Sequence, residues 1–182
     1  MASTHVALIR GINVGTAKRV AMTALKALVE GAGYRDVRTL LNSGNVIFTA
    51  PRVNAATAAA RIEEGLASRL GVTARVTVLT AAELAVAVAE NPLATAARDP
   101  SRLLVSFLSS PRDRVKLETL LAQNWSPDAL AIGKRVAYLW CVDGALQSPL
   151  SQAVSRALGD GVTARNWRTV SRLNELVNGR EP

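Results

Sequence analysis

The sequence predicts an α+β protein made of two units in tandem, each with the element order β-α-β-β-α-β. Short β-branched apolar runs alternate with amphipathic stretches of helical period along the 182 residues. Polar turn signals join the two middle strands of each half into a hairpin. The same order of elements occurs in both halves without a residue-level repeat. That order is the signature of the ferredoxin-like split βαβ unit, or α/β plait.

In the first half, the turn signal Asn42-Ser43-Gly44-Asn45 joins two strands, and Gly71 ends the second helix. Thr80 and Glu83 form a capping box, so a further helix starts there and ends by Asn91. The predicted strands cover 6–9, 36–41, 46–48 and 72–79, with helices from 22 to the glycines at 31 and 33 and over 55–70.

In the second half, Ser110-Pro111 and Ser148-Pro149 are typical helix starts. The predicted strands cover 102–108, 129–132, 136–142 and 161–164, and a terminal helix contains residues 170–177. The stretch 91–101 between the halves is polar and holds two prolines. We therefore place the domain boundary there, which gives domains 1–91 and 102–182.

The composition narrows the class of protein. A hydrophobic fraction of 49% permits a buried core, and the net charge of +8 is spread evenly, +4 on each side of Asn91. An even basic surplus suits an anionic partner, or is simply a solvated arginine-rich surface. The single cysteine, Cys141, excludes a disulfide framework and fits a reducing compartment. We see no signal peptide and no membrane span, so we expect a cytoplasmic protein.

Motifs for cofactors, metals and catalysis are sparse. His5 is the only histidine, and a histidine-rich metal site within one chain is excluded. Neither the P-loop pattern nor G-x-G-x-x-G after a strand occurs, so no nucleotide cofactor is predicted. Cys141 follows Trp140 in a predicted strand, where we expect a buried and inert thiol.

Four blocks of the sequence together resemble the family called domain of unknown function 1697. They are VALIRGINVG, RVAM, LLNSGNVIF and, near the end, TARNWRTVSRL. The resemblance covers nearly the whole chain and implies two ferredoxin-like α/β units, but it implies no activity. The chain departs from the family pattern at Thr16, where members often have a second glycine, and at Ala21, where many have proline.

The split βαβ topology places the main candidate site. Its first and second strands are parallel, so the loop after the first and the turn after the second lie at the same end of the sheet. These segments offer glycine backbone, amides, a hydroxyl and cations, which suit a phosphate or carboxylate. Alternatively, the glycines permit tight turns and the asparagines bond loop backbone. The candidate ligand-binding residues are Arg10, Gly11, Asn13, Gly15, Lys18, Arg19, Asn42, Ser43, Gly44 and Asn45.

A second candidate cluster precedes the terminal helix. A tryptophan between two arginines is suited to stack on a base while the cations meet phosphate. Alternatively, the tryptophan packs between helix and sheet while Asn166 or Thr169 caps the helix. The residues of this cluster are Arg165, Asn166, Trp167, Arg168 and Thr169.

Three functional hypotheses follow. The first is a non-catalytic module that binds an anionic ligand, either a nucleic acid or a phosphorylated small molecule. The second is a small enzyme for a phosphorylated or carboxylate substrate, with Lys18 or Ser43 as the reactive group. The third is a structural or partner-binding protein. Plait folds often bind RNA across the sheet with exposed aromatic residues, but here the strands offer few such residues, namely Phe48 and Phe107, and no RNP-like aromatic run occurs.

Overall fold

The computed structural model describes residues 2–15, 18–51, 53–96 and 98–179. The chain divides into two compact units, one made of Met1–Leu84 with Leu173–Pro182 and the other of Ala85–Arg172. Each unit contains a four-stranded antiparallel sheet with helices, so the predicted α+β class with two ferredoxin-like units is confirmed. The predicted domain limits, 1–91 and 102–182, stay a prediction, because a compact unit is not by itself an independently folding domain.

The first unit has the strand order β2-β3-β1-β4, and every neighbouring pair is antiparallel. Since β3 lies between β1 and β2 and is antiparallel to both, β1 and β2 are parallel to each other. Its elements are β1 (Ala2–Ile9), α1 (Met22–Gly31), β2 (Arg35–Leu40), β3 (Asn45–Pro51), α2 (Ala55–Leu70) and β4 (Val76–Thr80).

Local sequence explains where these elements begin and end. The Asn54 side chain accepts a hydrogen bond from the Ala56 N–H at 2.8 Å and so caps α2. Gly71 ends that helix in the left-handed conformation, with φ 64°. The Val72 N–H then bonds the Leu66 carbonyl at 3.0 Å, which ties Val72 to the helix end. This explains why β4 begins at Val76, although the alternating pattern of the sequence predicts a strand that begins at Val72.

Both faces of the first sheet are buried. Side chains alternate between the two faces of a strand, so Ala7 and Ile9 face one side while Val6 and Leu8 face the other. Ala7 and Ile9 pack in the core formed with α1 and α2, and Val6 and Leu8 are also fully buried. Burying a large aliphatic side chain stabilises the fold by about 2 kcal/mol. The core residues from the two helices are Leu25, Leu28, Val29, Ala58, Ile62 and Leu66.

The second unit repeats this topology with the strand order β6-β7-β5-β8. Its core is formed by α4, α5 and one face of the sheet, around Leu108, Leu117, Leu139 and Leu150. Along the chain, the limits of the two units fall within two helices, α3 (Ala81–Ala89) and α6 (Trp167–Val177). The remaining elements are β5 (Leu103–Leu108), α4 (Val115–Leu121), β6 (Ala129–Ile132), β7 (Val136–Trp140), α5 (Pro149–Leu158) and β8 (Val162–Asn166).

Two of the three predicted helix-start signals cap the predicted helix, and the third caps a short turn ahead of it. Thr80 and Glu83 form the reciprocal hydrogen bonds of a capping box at the start of α3. Ser148 caps α5, accepting from the Ser151 N–H at 3.0 Å. Ser110 instead caps a single 3₁₀ turn, Pro111–Arg114, which leads into α4. No helix within the described ranges is both long and apolar enough to cross a membrane.

Candidate functional site

The loop after β1 and the turn after β2 lie together at one end of the first sheet, as the topology predicts. The Ile9 N–H donates to the Gly44 carbonyl at 2.8 Å, and the Asn13 side chain donates to the Asn42 carbonyl at 2.7 Å. Two segments that are 29 positions apart in the sequence are therefore joined directly.

The Asn13 side chain is fully used in holding the loop together. Its Nδ2 donates to the Val20 carbonyl at 2.9 Å as well as to Asn42, and its Oδ1 accepts from the Val20 N–H at 2.8 Å. Its backbone is left-handed, with φ 55°, a conformation that asparagine tolerates better than most residues. For Asn13, the architectural alternative of the sequence analysis accounts for every polar atom of the side chain.

The turn residues Ser43, Gly44 and Asn45 are also part of the framework. Asn45 is fully buried, and its Nδ2 donates to the Leu40 carbonyl and to the Ser43 Oγ, both at 2.9 Å. Gly44 has φ 78°, and a Cβ at this position would lie 2.8 Å from the Ile12 Cδ1. Only glycine fits such a backbone and such a close approach.

A cavity of about 460 Å³ opens beside the joined segments. The helix α1 begins at its wall, and the residue before the helix, Ala21, has no side chain able to cap it. The first turn of α1 also holds no acidic residue. The described residues that line this cavity, which we call the hollow, are Asn13, Arg19, Val20, Ala21, Met22 and Asn42.

The start of α1 gives the hollow a positive potential. The first N–H groups of a helix have no partner within the helix, and they carry the positive end of its dipole. The hollow residues Val20, Ala21 and Met22 are absent from the predicted site, which was chosen by side-chain chemistry. The sequence does contain a signal for them: Ala21 stands directly before the apolar helical pattern, where a helix usually has a capping residue such as serine or aspartate.

The cations of the first loop are not all in one place. Arg19 is exposed and lines the hollow, whereas Arg10 and Lys18 are not among its described lining residues. Lys18 is exposed and left-handed, with φ 51°. Gly11 and Gly15 have φ values of 65° and 61°, so both permit turns. Thr16 and Ala17, which belong to the same predicted loop, lie outside the described residues.

Acidic side chains are missing from the sequence around the hollow. Residues 1–29 and 37–62 contain neither aspartate nor glutamate. Glu63 reaches the same end of the sheet, where it accepts from the Val76 N–H at 2.8 Å and pairs with Arg75 at 3.4 Å. Its charge is therefore already matched by a cation and a backbone N–H.

The second candidate cluster contains a helix cap. The Asn166 Oδ1 accepts from the Thr169 N–H at 2.9 Å, which is the capping alternative of the sequence analysis. The half-buried Arg165 donates from Nη1 to the Ala164 carbonyl at 2.8 Å. Burial lowers the pKa of Arg165 to about 10, so the guanidinium stays charged at neutral pH. Trp167 is half-buried and Arg168 is exposed; stacking of a base on Trp167 stays a prediction.

The two groups most often used in catalysis, His5 and Cys141, are buried. The His5 Nδ1 donates to the Ser3 carbonyl at 3.0 Å, and its ring stacks on Phe48 with centroids 5.4 Å apart. Burial raises the pKa of the Cys141 thiol, a hydrogen bond with Ser148 opposes that shift, and the Asp128 carboxylate adds to it. Both therefore have packing roles in this fold. Among the described residues, no group of three or more His, Cys, Asp or Glu is placed to hold a metal ion.

One polar cluster that the sequence analysis missed lies in the second unit. Asp128 precedes β6, and its carboxylate accepts from the Val142 N–H at 2.9 Å and from the Ser148 hydroxyl at 2.6 Å. The three residues are distant in sequence, so no local pattern reveals them. The cluster connects three elements and is a structural feature.

Comparison with known proteins gives the family. A family model described as a protein of unknown function (DUF1697) matches residues 2–138. The chain belongs to the DUF1697 family. In this DUF1697 chain the match includes the whole hollow and ends before the cluster at 165–169. No curated protein matches the chain.

A solved structure supports the fold of this DUF1697 chain. The chain is similar to a conserved bacterial protein from Streptococcus pneumoniae, with a TM-score of 0.75 and 21% sequence identity. The similarity covers 97% of this chain and 99% of that one. At such an identity the similarity establishes the architecture, and function has to be argued from the site.

Proposed function

We propose that the protein binds an anionic ligand in the hollow, as a non-catalytic module. The ligand is a phosphorylated small molecule or a nucleic acid phosphate. The observation that supports this most is the uncapped start of α1, which opens into a cavity beside the exposed cation Arg19. A helix start with neither a capping side chain nor an acidic first turn leaves its N–H groups for another acceptor.

Charge and geometry favour the same ligand class. The N-terminal end of a helix is equivalent to about half a positive charge, and a guanidinium adds a full charge with paired donors. The sequence of residues 1–29 contains no aspartate or glutamate, so none of these residues brings a carboxylate that competes with an incoming anion. The asparagines contribute indirectly, because Asn13 holds the loop in the shape that forms the hollow.

The two ligand forms differ in their response to salt. A nucleic acid contacts several cations, so its affinity falls steeply with salt concentration through release of counterions. A single phosphate group held by one cation and backbone N–H groups responds less. Titrations with AMP and with a single-stranded oligonucleotide at two salt concentrations therefore separate the forms.

The test is an NMR titration with inorganic phosphate and AMP. We expect the backbone amides of residues 19–24 to shift, and Arg19→Gln to weaken binding by about tenfold, as the loss of a charge-assisted hydrogen bond would cause. The matched control is Lys26→Gln. This variant removes an exposed cation from α1, at a position away from the start of the helix. Shifts confined to other residues, or equal weakening by both variants, would refute the proposal.

A further inference from the structure

Two aliphatic side chains are exposed in the two segments that meet at the hollow. Val14 is 70% exposed and Leu41 is 61% exposed. Each is the immediate neighbour of one of the two residues, Asn13 and Asn42, that join the segments by a hydrogen bond of 2.7 Å. Both residues therefore lie at the same end of the first unit as the hollow.

The fold gives no reason for leucine at position 41. Leu41 has φ 58°, in the left-handed region, which is unfavourable for a bulky residue compared with glycine or asparagine. A leucine that is mostly exposed recovers little of this cost through burial. A bulky residue held in a strained backbone conformation is an outlier from which a functional hypothesis can be drawn.

The charges of the two segments define the partner. The exposed cations Lys18 and Arg19 belong to the loop that carries Val14, and residues 1–29 and 37–62 contain no acid. A complementary surface therefore combines aliphatic side chains with carboxylates. The hollow favours a peptide over a bilayer. A peptide has protruding side chains that can enter a concave cavity of about 460 Å³, whereas a flat lipid surface would leave the cavity unfilled.

We propose that Val14, Leu41 and the hollow together dock an acidic segment of another protein. Aliphatic side chains of that segment contact Val14 and Leu41, and one of its carboxylates occupies the hollow at the start of α1. This inference rests on the proposed function for the carboxylate. The contacts at Val14 and Leu41 are independent of it.

The test compares two hexapeptides of equal charge by calorimetry. One contains four glutamates and two leucines, and the other replaces the leucines with serines. We expect the leucine peptide to bind at least fivefold more tightly, which corresponds to burial of roughly 40 Å² of apolar surface. Val14→Ser and Leu41→Asn should remove this preference and leave phosphate binding unchanged. Leu146→Ser is the matched control, since Leu146 is 89% exposed in the second unit.

The outcomes separate the two proposals. Equal affinity for both peptides overturns the docking surface, and phosphate binding at residues 19–24 then still supports the proposed function. A leucine preference that survives both Val14→Ser and Leu41→Asn also overturns it. If phosphate does not bind, but the leucine peptide still binds more tightly and Val14→Ser and Leu41→Asn remove that preference, the anion site is wrong. The apolar contacts at Val14 and Leu41 are then supported. If those two variants abolish binding to vesicles of phosphatidylglycerol but no peptide preference exists, the surface is a membrane contact and the docking proposal is wrong.

Discussion

The Asn13 Nδ2 lies 2.7 Å from the Asn42 carbonyl oxygen, and this bond joins the loop after β1 to the turn after β2. The same amide group also bonds both polar atoms of the Val20 backbone, at 2.9 and 2.8 Å. One side chain thus fixes the path of the chain into α1, and with it the shape of the hollow.

Replacing Asn13 with alanine should destabilise the fold by about 3 kcal/mol. Three hydrogen bonds are lost at about 1 kcal/mol each, and alanine is less suited than asparagine to φ 55°. The measurement is urea unfolding. Asn42→Ala is the matched control, because that residue contributes its main-chain carbonyl, and it should change stability by less than about 0.5 kcal/mol. Equal losses for both variants would contradict the role given to Asn13.

Gly44→Ala should destabilise the protein more than Gly11→Ala. Both glycines are left-handed, at 78° and 65°, so both substitutions cost about 1 kcal/mol of backbone strain. At Gly44 the new Cβ would also lie 2.8 Å from the Ile12 Cδ1 and 3.0 Å from the Ile9 Cβ, whereas nothing lies within 4 Å at Gly11. Overpacking of that kind adds about 1–3 kcal/mol. Thermal unfolding of the two variants measures the difference, and similar melting temperatures would show that the turn relaxes freely.

The apolar periodicity and the residues typical of helix ends predicted the helices and strands well, because both signals depend only on neighbouring residues in the sequence. Gly71 and Asn54 fix the ends of α2, and the predicted span 55–70 agrees with Ala55–Leu70. The pairing of strands depends on residues that are distant in the sequence, and the predicted strand ends were therefore less accurate. β1 begins at Ala2 and not at Val6, because its polar first residues pair with the end of β3 as far as Pro51.

The sequence predicted correctly that the loop and the turn meet, and ligand binding by them stays a prediction. Topology alone placed the loop and the turn together. The amides and the hydroxyl chosen as ligand groups are mostly used within the framework, as Asn13 and Asn45 show. The sequence cannot reveal this, because a side chain that bonds its own loop and one that faces a ligand have the same residue type. The burial of Phe48 and Phe107, at 0% and 1% exposure, likewise depends on the tertiary structure, and it removes both rings from any role in stacking RNA bases on the sheet.

Ser148→Ala should lower the free energy of unfolding by about 2.5–4 kcal/mol, and Ser110→Ala by about 1 kcal/mol or less, as measured by urea unfolding. Both serines precede a proline and cap a helical segment. Ser148 additionally donates to the Asp128 carboxylate at 2.6 Å and is 2% exposed. A charge-assisted bond contributes about 1.5–3 kcal/mol beyond an ordinary cap.

A double-mutant cycle tests the coupling between Ser148 and Asp128. The combined loss for Asp128→Ala with Ser148→Ala should be smaller than the sum of the single losses by about 1.5–3 kcal/mol, because both variants break the same charge-assisted bond. Chemical denaturation gives the three free energies of unfolding. Strict additivity would show that the two side chains stabilise the second unit independently.

Tyr138 should make the protein lose stability at alkaline pH. Burial, with a smaller contribution from the Glu90 charge, raises the pKa of Tyr138 from 10.0 to about 12. The folded state therefore holds the phenolic proton more tightly than the unfolded state. The resulting stabilisation is complete below pH 10 and is lost as the pH rises from there towards about 12.

Tyr138→Phe provides the comparison. The phenol donates to the Ala87 carbonyl at 2.8 Å, so the variant should lose about 1 kcal/mol at pH 7. Its free energy of unfolding should then fall less steeply between pH 10 and 12 than that of the parent protein. The protein has two tyrosines, so ultraviolet absorbance of the variant follows Tyr34 alone, and the difference from the parent gives the titration of Tyr138. A Tyr138 titration midpoint near 10 would show that the phenol is not held in the buried hydrogen bond to Ala87.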